Sequence, residues 1–498
     1  MSQSSTEGTN EKAEVIHADP VEIQNNDSDT EKGVIFQTCY VKSKAEKKYL
    51  RKVNLAFIPL VTWIVMVQFA DKSSLAISAV LGIYEDTHIT GSEFSWLGSI
   101  FFLGYLIMQI LNQILVQKLS IRRYLGVMII LFGLVMLFTS LANTFPQLLA
   151  LRFLLGVFEA TCLPCIYIIV PNLYRRDEQT FYFGIVTMCQ GVGSILGNLV
   201  AVGVSQMGGP RLGLQMWRWN HIIFGAFTVV LGILCFFFLL DDPRSWILRL
   251  TKEEHEIVDK RTRDNAVIRN KQIKYRHFLE ALREPRLYLI GIASVCINMQ
   301  NGGLLVFSAQ IIRSLGSYTP TESILLKMPG GFAAAIFIIL ASIIARRIQQ
   351  IAYTGMFFCL VSLTGVIILA AAPHGSVKLL GYYLSWAMGG AGVMFISTVG
   401  TNVSGYSKKI FYNSFLVIFT TVGNFIGPLV MLEREAPTYK TGMIIYCIGN
   451  GIAFCCFIVT RYFMARENKK RLVNPPETPL DVNGDYTDQE DKGFIYKL

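Results

Sequence analysis

The chain has 498 residues and a formal net charge of +10; 52% of its residues are apolar, only 16% are charged, and its mean hydropathy is +0.44. Soluble domains carry about 25% charged residues, so a water-facing surface of this size would lack the charges to cover it. The same figures exclude an intrinsically disordered chain, which needs low hydrophobicity, and they argue against a soluble enzyme or a nucleic-acid binder.

The first 40 residues are polar and acidic and lack the apolar core of a signal peptide, and residues 1–50 make up the N-terminal tail. They are expected to form a disordered cytosolic tail. A membrane-crossing helix needs roughly 20 apolar residues. Six stretches meet this in the first half: 54–80, 94–116, 123–141, 147–170, 181–204 and 219–240. A long polar linker follows, then six more stretches at 287–309, 322–344, 351–371, 379–400, 411–432 and 441–463. No period-two alternation supports a membrane barrel. The pattern predicts an all-α integral membrane protein of 12 transmembrane helices in two six-helix bundles. The bundles are residues 51–240 and 287–463, joined by a cytosolic linker over 241–286. Residues 464–498, with Pro475, Pro476 and Pro479 among acids, are expected to be a second disordered cytosolic tail.

Most of the 45 Lys and Arg fall in alternate loops. They cluster at Lys42–Lys52, Lys118–Arg123, Arg175–Arg176, the linker, Arg346–Arg347, Lys408–Lys409 and Arg461–Arg471. The opposite loops hold few, among them Arg211, Arg218, Arg313, Lys378, Arg434 and Lys440. The positive-inside rule places both termini and the linker in the cytoplasm.

Catalytic and metal-binding signatures are missing, so neither an enzyme nor a cofactor or metal protein is expected. Cys162-Leu163-Pro164-Cys165 has redox spacing, but it sits inside a membrane span and reads as a proline kink among packing residues. Gly193 and Gly197 suit a close helix contact. The six histidines fall in tails, loops or span ends.

Chemistry is therefore sought in the ionisable groups within spans, which cost about 3 kcal/mol on insertion scales and need partners. Asp71 and Lys72 interrupt the first span, where Gln68, Asp71, Ser74 and Ser78 recur at helical spacing. Arg152, Gly156 and Glu159 share a face of the fourth. Asp71 could pair with Arg152, or Lys72 with Glu159, either to fix helix packing or to serve a ligand. A fixed cation suits an organic anion, and a carboxylate in lipid suits proton coupling. The second half carries amides: Ser294, Asn298, Asn301 and Ser308 in span seven, with Gly302-Gly303 predicting a break in that helix, and Asn413, Thr420 and Asn424 in span eleven. Gln190 and Ser194 share a face of span five. Lys327, before Pro329 in span eight, is expected to snorkel to the outer interface, with a cavity-facing position as the alternative.

Arg152-Phe-Leu-Leu-Gly156-Val-Phe-Glu159-Ala160 followed by Pro164 resembles the fourth-helix signature of the major facilitator superfamily, and more narrowly the fungal anion:cation symporter branch that contains allantoate permease. Asp71-Lys72, Pro171-Asn-Leu-Tyr174-Arg-Arg-Asp-Glu178, Trp217-Arg218-Trp219, Asp242-Pro243, Leu250-Thr251-Lys252-Glu253-Glu254 and Ala436-Pro437-Thr438-Tyr439 are similar to that branch as well. The chain departs from the superfamily loop after helix two, where Gln117 and Ser120 replace an acid and a glycine. The resemblance implies the major facilitator fold. It also implies a proton-coupled secondary transporter importing a small organic anion (allantoate-, vitamin- or carboxylate-like) by alternating access, with a weakly transporting nutrient receptor as the alternative. Its partners would be the anion, protons and the lipid bilayer, without nucleic acid, and the expected state is a monomer. Lys72, Arg152, Gln190, Asn298, Asn301 and Asn424 would bind substrate, and Asp71 and Glu159 would carry the proton. The plasma membrane is the expected location, with the endoplasmic reticulum or vacuole as alternatives.

Overall fold

The computed structural model describes residues 43–207, 210, 212–264, 274–316, 318–372, 375–436, 438–474 and 486–498. The expected tail before residue 43, Arg211, Pro437, and Pro475, Pro476 and Pro479 lie outside the described residues, as does the Gln117 side chain. Among the described residues, twelve helices are long and apolar enough to cross a membrane. Spans one to six are Lys44–Ser78, Gly91–Asn112, Ile121–Thr139, Phe145–Leu173, Phe181–Ser205 and Met216–Phe238. Spans seven to twelve are Pro285–Ser314, Pro320–Ile348, Ile351–Ala371, Ser376–Asn402, Ser407–Leu429 and Lys440–Val473. Helices suit lipid because every backbone N–H and C=O finds its partner within the segment. The chain is a multi-pass integral membrane protein. Its basic end holds Lys44, the linker and Val473; the other is the far end.

Span one starts at Lys44, inside the segment expected as tail, because Ser43 caps it by accepting from the Glu46 N–H at 3.1 Å. Its first turns bury Glu46, Tyr49 and Leu50. Spans one and five press backbone to backbone at Gly193 and Gly197, where any Cβ would collide with Met66 and Ala70. This is the expected small-residue contact.

Spans one to six pack mainly on one another, as do spans seven to twelve, and the two groups meet at the far end. Gly98 of span two abuts Val306 and Pro428. The Ser92 N–H donates to Glu433 at 3.0 Å, Gln310 Nε2 donates to the Tyr84 hydroxyl at 2.5 Å, and the Ser205 and Thr321 hydroxyls lie 2.8 Å apart. Phe94 meets Phe307 edge-on, and Trp96 meets Phe425. This seam closes the far end.

At the basic end the linker divides its helices between the groups. Helix Lys252–Asp264 joins the first group, because Arg261 pairs with Glu46 at 2.5 Å and also with Glu178. Helix Tyr275–Arg283 joins the second group through Glu280, 2.7 Å from Lys408 Nζ. Asp241 accepts from the Arg122 N–H at 3.2 Å and so caps span three.

The segment 464–498 differs from a disordered tail. Span twelve runs on to Val473, and residues 486–498 fold back onto the second group. The buried Asp488 accepts from Arg286 at 2.6 Å, Lys408 at 2.7 Å and the Tyr496 hydroxyl at 2.7 Å. Lys408 also pairs with Glu284. Asn402 and Asn468 hold the backbone of Lys497 and Tyr496, and the Ile351 N–H donates to the Leu498 carbonyl at 2.7 Å. An acidic strap has found the cations of the basic end, a match between distant residues that composition does not display.

Span seven is one continuous helix, so Gly302-Gly303 does not break it. The pair instead admits its neighbours: a Cβ at Gly302 would strike the Asn424 backbone, and one at Gly303 the Tyr446 hydroxyl. The interruptions fall in spans four and ten. Span four is Phe145–Glu159 and then Cys162–Leu173; span ten is Ser376–Ser385 and then Met388–Asn402. Each break is bridged by an amide from a neighbouring span. Asn112 donates to the Ala160 carbonyl at 3.1 Å and accepts from Thr161 at 3.0 Å. Gln300 donates to the Ser385 carbonyl at 2.7 Å and is itself held by Asn450 at 2.6 Å. Backbone groups freed in lipid need such partners.

Burial pushes the Asp488 carboxyl up, but Arg286 and Lys408 outweigh this and hold it below the usual carboxylate range. Such a group stabilises the docked strap above its unfolded pKa, and that stabilisation is lost as pH falls through the folded value. Asp488→Asn at neutral pH, or acidification of the native chain, is expected to release residues 486–498. Amide hydrogen exchange on the full chain in detergent reads both, and unchanged protection in the variant would contradict the clamp.

Candidate functional site

Glu159 is the last residue before the break in span four and is fully buried. Its Oε1 lies 3.1 Å from Lys72 Nζ and accepts from Gln68 Nε2 at 3.2 Å. The Lys72 ammonium also sits over the Phe69 ring, 4.5 Å from its centroid, and 5.7 Å from that of Tyr105. Such faces stabilise a desolvated cation. Glu159 Oε2 has no hydrogen-bond partner.

Of the two pairings the sequence allows, Lys72 with Glu159 is the one that forms. Consecutive residues point about 100° apart on a helix with 3.6 residues per turn. Lys72 therefore follows Gln68 toward span four, while Asp71 follows Ser74, whose hydroxyl donates to Asp71 Oδ1 at 2.9 Å. Asp71 Oδ2 is buried without a partner. Arg152 turns to span six, with Nη2 3.3 Å from His221 Nε2. His221 Nδ1 lies 3.0 Å from the Trp217 carbonyl. A carbonyl only accepts, so the proton is on Nδ1, and Nε2 accepts from Arg152. His221, at a span end, carried no signal in the sequence.

In the second group the amides form a ladder. Asn301 donates to Asn424 Oδ1 at 2.8 Å, Asn298 donates to the Ser294 carbonyl at 2.8 Å, and the Ser294 and Thr420 hydroxyls lie 2.8 Å apart. Asn413 is exposed and stands outside the ladder. Gln190 lies by the Tyr167 hydroxyl, and Ser194 is 3.2 Å from Ser73. Asn112 and Gln300, which bridge the breaks, were also missed; an amide in an apolar run does not reveal which carbonyl it serves.

Ala70 and Phe101 share an apolar cluster with Leu305 and Phe425 of the other group. Asp71 follows Ala70 in sequence, and Asn424 precedes Phe425. Asp71 and Asn424 are thus each next in sequence to a residue of the cluster that joins the two groups. Cys162 and Cys165 are free and buried, and they open the second piece of span four.

Residues 61–431 match the family model of the Major Facilitator Superfamily. The chain belongs to that superfamily. It is a membrane transporter of the major facilitator kind, and its relatives include fungal permeases. Allantoate permease of Saccharomyces cerevisiae is 29% identical over 477 residues, covering 92% of this chain and 88% of the permease. The high affinity cysteine transporter of the same yeast is 25% identical over 459 residues, covering 88% and 83%. A bacterial homologue of the human lysosomal transporter Spinster, solved inward-facing and occupied, aligns with a TM-score of 0.67 at 15% identity. That match covers 84% of this chain and 98% of the other, and it shows the shared fold. Within the major facilitator fold, the discontinuous spans four and ten hold equivalent places in the two halves.

Removing one partner of a buried ion pair leaves the other charge uncompensated, at a cost of about 3–5 kcal/mol. Lys72→Met is expected to lower thermal stability in detergent accordingly, and Glu159→Gln added to it is expected to restore most of the loss. Losses that simply add in the double variant would show that the two side chains do not interact.

Proposed function

We propose that this transporter imports a small organic anion bearing a carboxylate, coupled to protons, by alternating access. The observation that supports it best is the buried Lys72–Glu159 pair, set at the helix break of span four. With the basic end in the cytosol, as the positive-inside rule suggests, the closed far end faces outside and the structure is in a cytosol-facing state. Rocking of the two halves would open the far end instead.

On this reading a substrate carboxylate competes with Glu159 for Lys72. Once displaced, Glu159 is a carboxylate in a low-dielectric site and favours its neutral, protonated form. Binding of the anion thus brings in a proton, and loss of both at the cytosolic side restores the ion pair. Asp71, with its unpartnered Oδ2, is the second candidate carrier. Arg152, held by His221, adds fixed positive charge, while Gln190, Asn298, Asn301 and Asn424 would recognise polar groups on the rest of the substrate. Allantoate and cysteine, named for two relatives, both carry a carboxylate. The membrane potential drives import when the protons carried exceed the substrate charge, at about 2.3 kcal/mol per net charge per 100 mV. The plasma membrane is the location this role calls for.

Reconstituted chain should take up at least one of labelled allantoate, cysteine, nicotinate and pantothenate, several-fold faster with the outside acidic. Glu159→Gln should abolish the response to the gradient while retaining exchange of internal for external substrate. Uptake indifferent to the gradient in the native protein would remove proton coupling. Binding without uptake would favour the receptor alternative.

A further inference from the structure

Span eight buries Ser323, Ile324, Lys327, Gly330 and Ala341, and Ser323, Lys327 and Gly330 recur at intervals of four and three on one face. Lys327 does not snorkel. It is 6% exposed, and its Nζ is buried with no hydrogen-bond partner. One turn further along the same face, a Cβ on Gly330 would stand 3.0 Å from both Trp386 Nε1 and Tyr382 Oη. The absence of a side chain at Gly330 draws span eight against span ten at its break, since Trp386 directly follows Ser385. Ser308 of span seven reaches toward the same Tyr382 hydroxyl. Lys327 Nζ, Trp386 Nε1, Tyr382 Oη and Ser308 Oγ are all buried; Trp386 and Ser308 approach the Tyr382 hydroxyl, whereas Lys327 Nζ has no hydrogen-bond partner among the described residues.

The set is rich in donors. Ammonium and indole N–H groups only donate, whereas the two hydroxyls donate and accept. Among the described residues no carboxylate neutralises Lys327, although an unpaired charge within the membrane is costly and usually marks an ion or substrate path. A carboxylate would supply the missing negative charge and a stronger acceptor than the hydroxyls. Thr321, bonded to Ser205 across the seam, lies six residues from Lys327 toward the far end, about 9 Å along the helix. The cluster is thus sealed just inside the closed far end, in the half opposite Lys72.

We propose that Lys327, Trp386, Tyr382 and Ser308 form a second anion subsite, which takes a substrate carboxylate when the far-end seam opens. The proposal rests on the organic-anion reading above. It gives the transporter a cation in each half, and it makes a carboxylate, rather than a neutral isostere, the required feature of the cargo.

The test is equilibrium binding to the purified full-length chain, using three acids and their neutral counterparts: allantoate and allantoin, nicotinate and nicotinamide, pantothenate and panthenol. For whichever acid the native chain prefers, Lys327→Met is expected to weaken binding at least tenfold, and Trp386→Phe, which removes only the N–H donor, about threefold. Affinity for the neutral counterpart should not change. Unliganded Lys327→Met should melt no lower than the native chain, because it loses an unpartnered buried charge. Native affinity for the acid in Lys327→Met would overturn the subsite and leave the organic-anion reading intact. Lower melting with unchanged affinity would assign Lys327 to packing and overturn it too. A native chain with no preference for any acid over its neutral counterpart would overturn both readings.

Discussion

Hydrocarbon offers no hydrogen bonds, and that constraint organises this protein. Every polar atom carried into the membrane must find its partner within the chain or wait for one that is transported. The Lys72–Glu159 pair, the Arg152–His221 contact and the amide ladder of spans seven and eleven are responses to it. The exceptions stand out for the same reason. Asp71 Oδ2, Glu159 Oε2 and Lys327 Nζ are buried and have no hydrogen-bond partner among the described residues.

The two breaks show how the constraint permits movement. An interrupted helix frees carbonyls that a continuous one would satisfy. Asn112 and Gln300 serve them from adjacent spans, so spans four and ten bend without exposing backbone to lipid. The same device appears once in each half, with Glu159 at the edge of one break and Trp386 at the edge of the other. At the basic end the linker helices and the folded-back strap pack each on one half. Far-end contacts between the halves combine apolar packing with single hydrogen bonds and aromatic edges.

The superfamily explains why such a scaffold accepts different cargo. In this chain the frame is set by glycine contacts and break-bridging amides, whereas the buried cations are few. Fold and broad role follow from the frame, and the identity of the cargo from a handful of side chains.

Composition and order along the chain were enough for twelve spans, the long linker and the candidate charges, because span length and hydropathy are local quantities fixed by bilayer thickness. The sequence also supplied Lys72 with Glu159 as one of two possible pairs. Only the tertiary structure decided between them, since the choice depends on the 100° turn that separates Asp71 from Lys72 and on which helix stands opposite each. It moved the break from Gly302-Gly303 to spans four and ten, because glycine loosens a helix and admits a neighbour equally well, and only the neighbour settles which. It turned the acidic strap into a clamp and buried Lys327, because pairings between residues far apart in sequence leave no periodic trace to read.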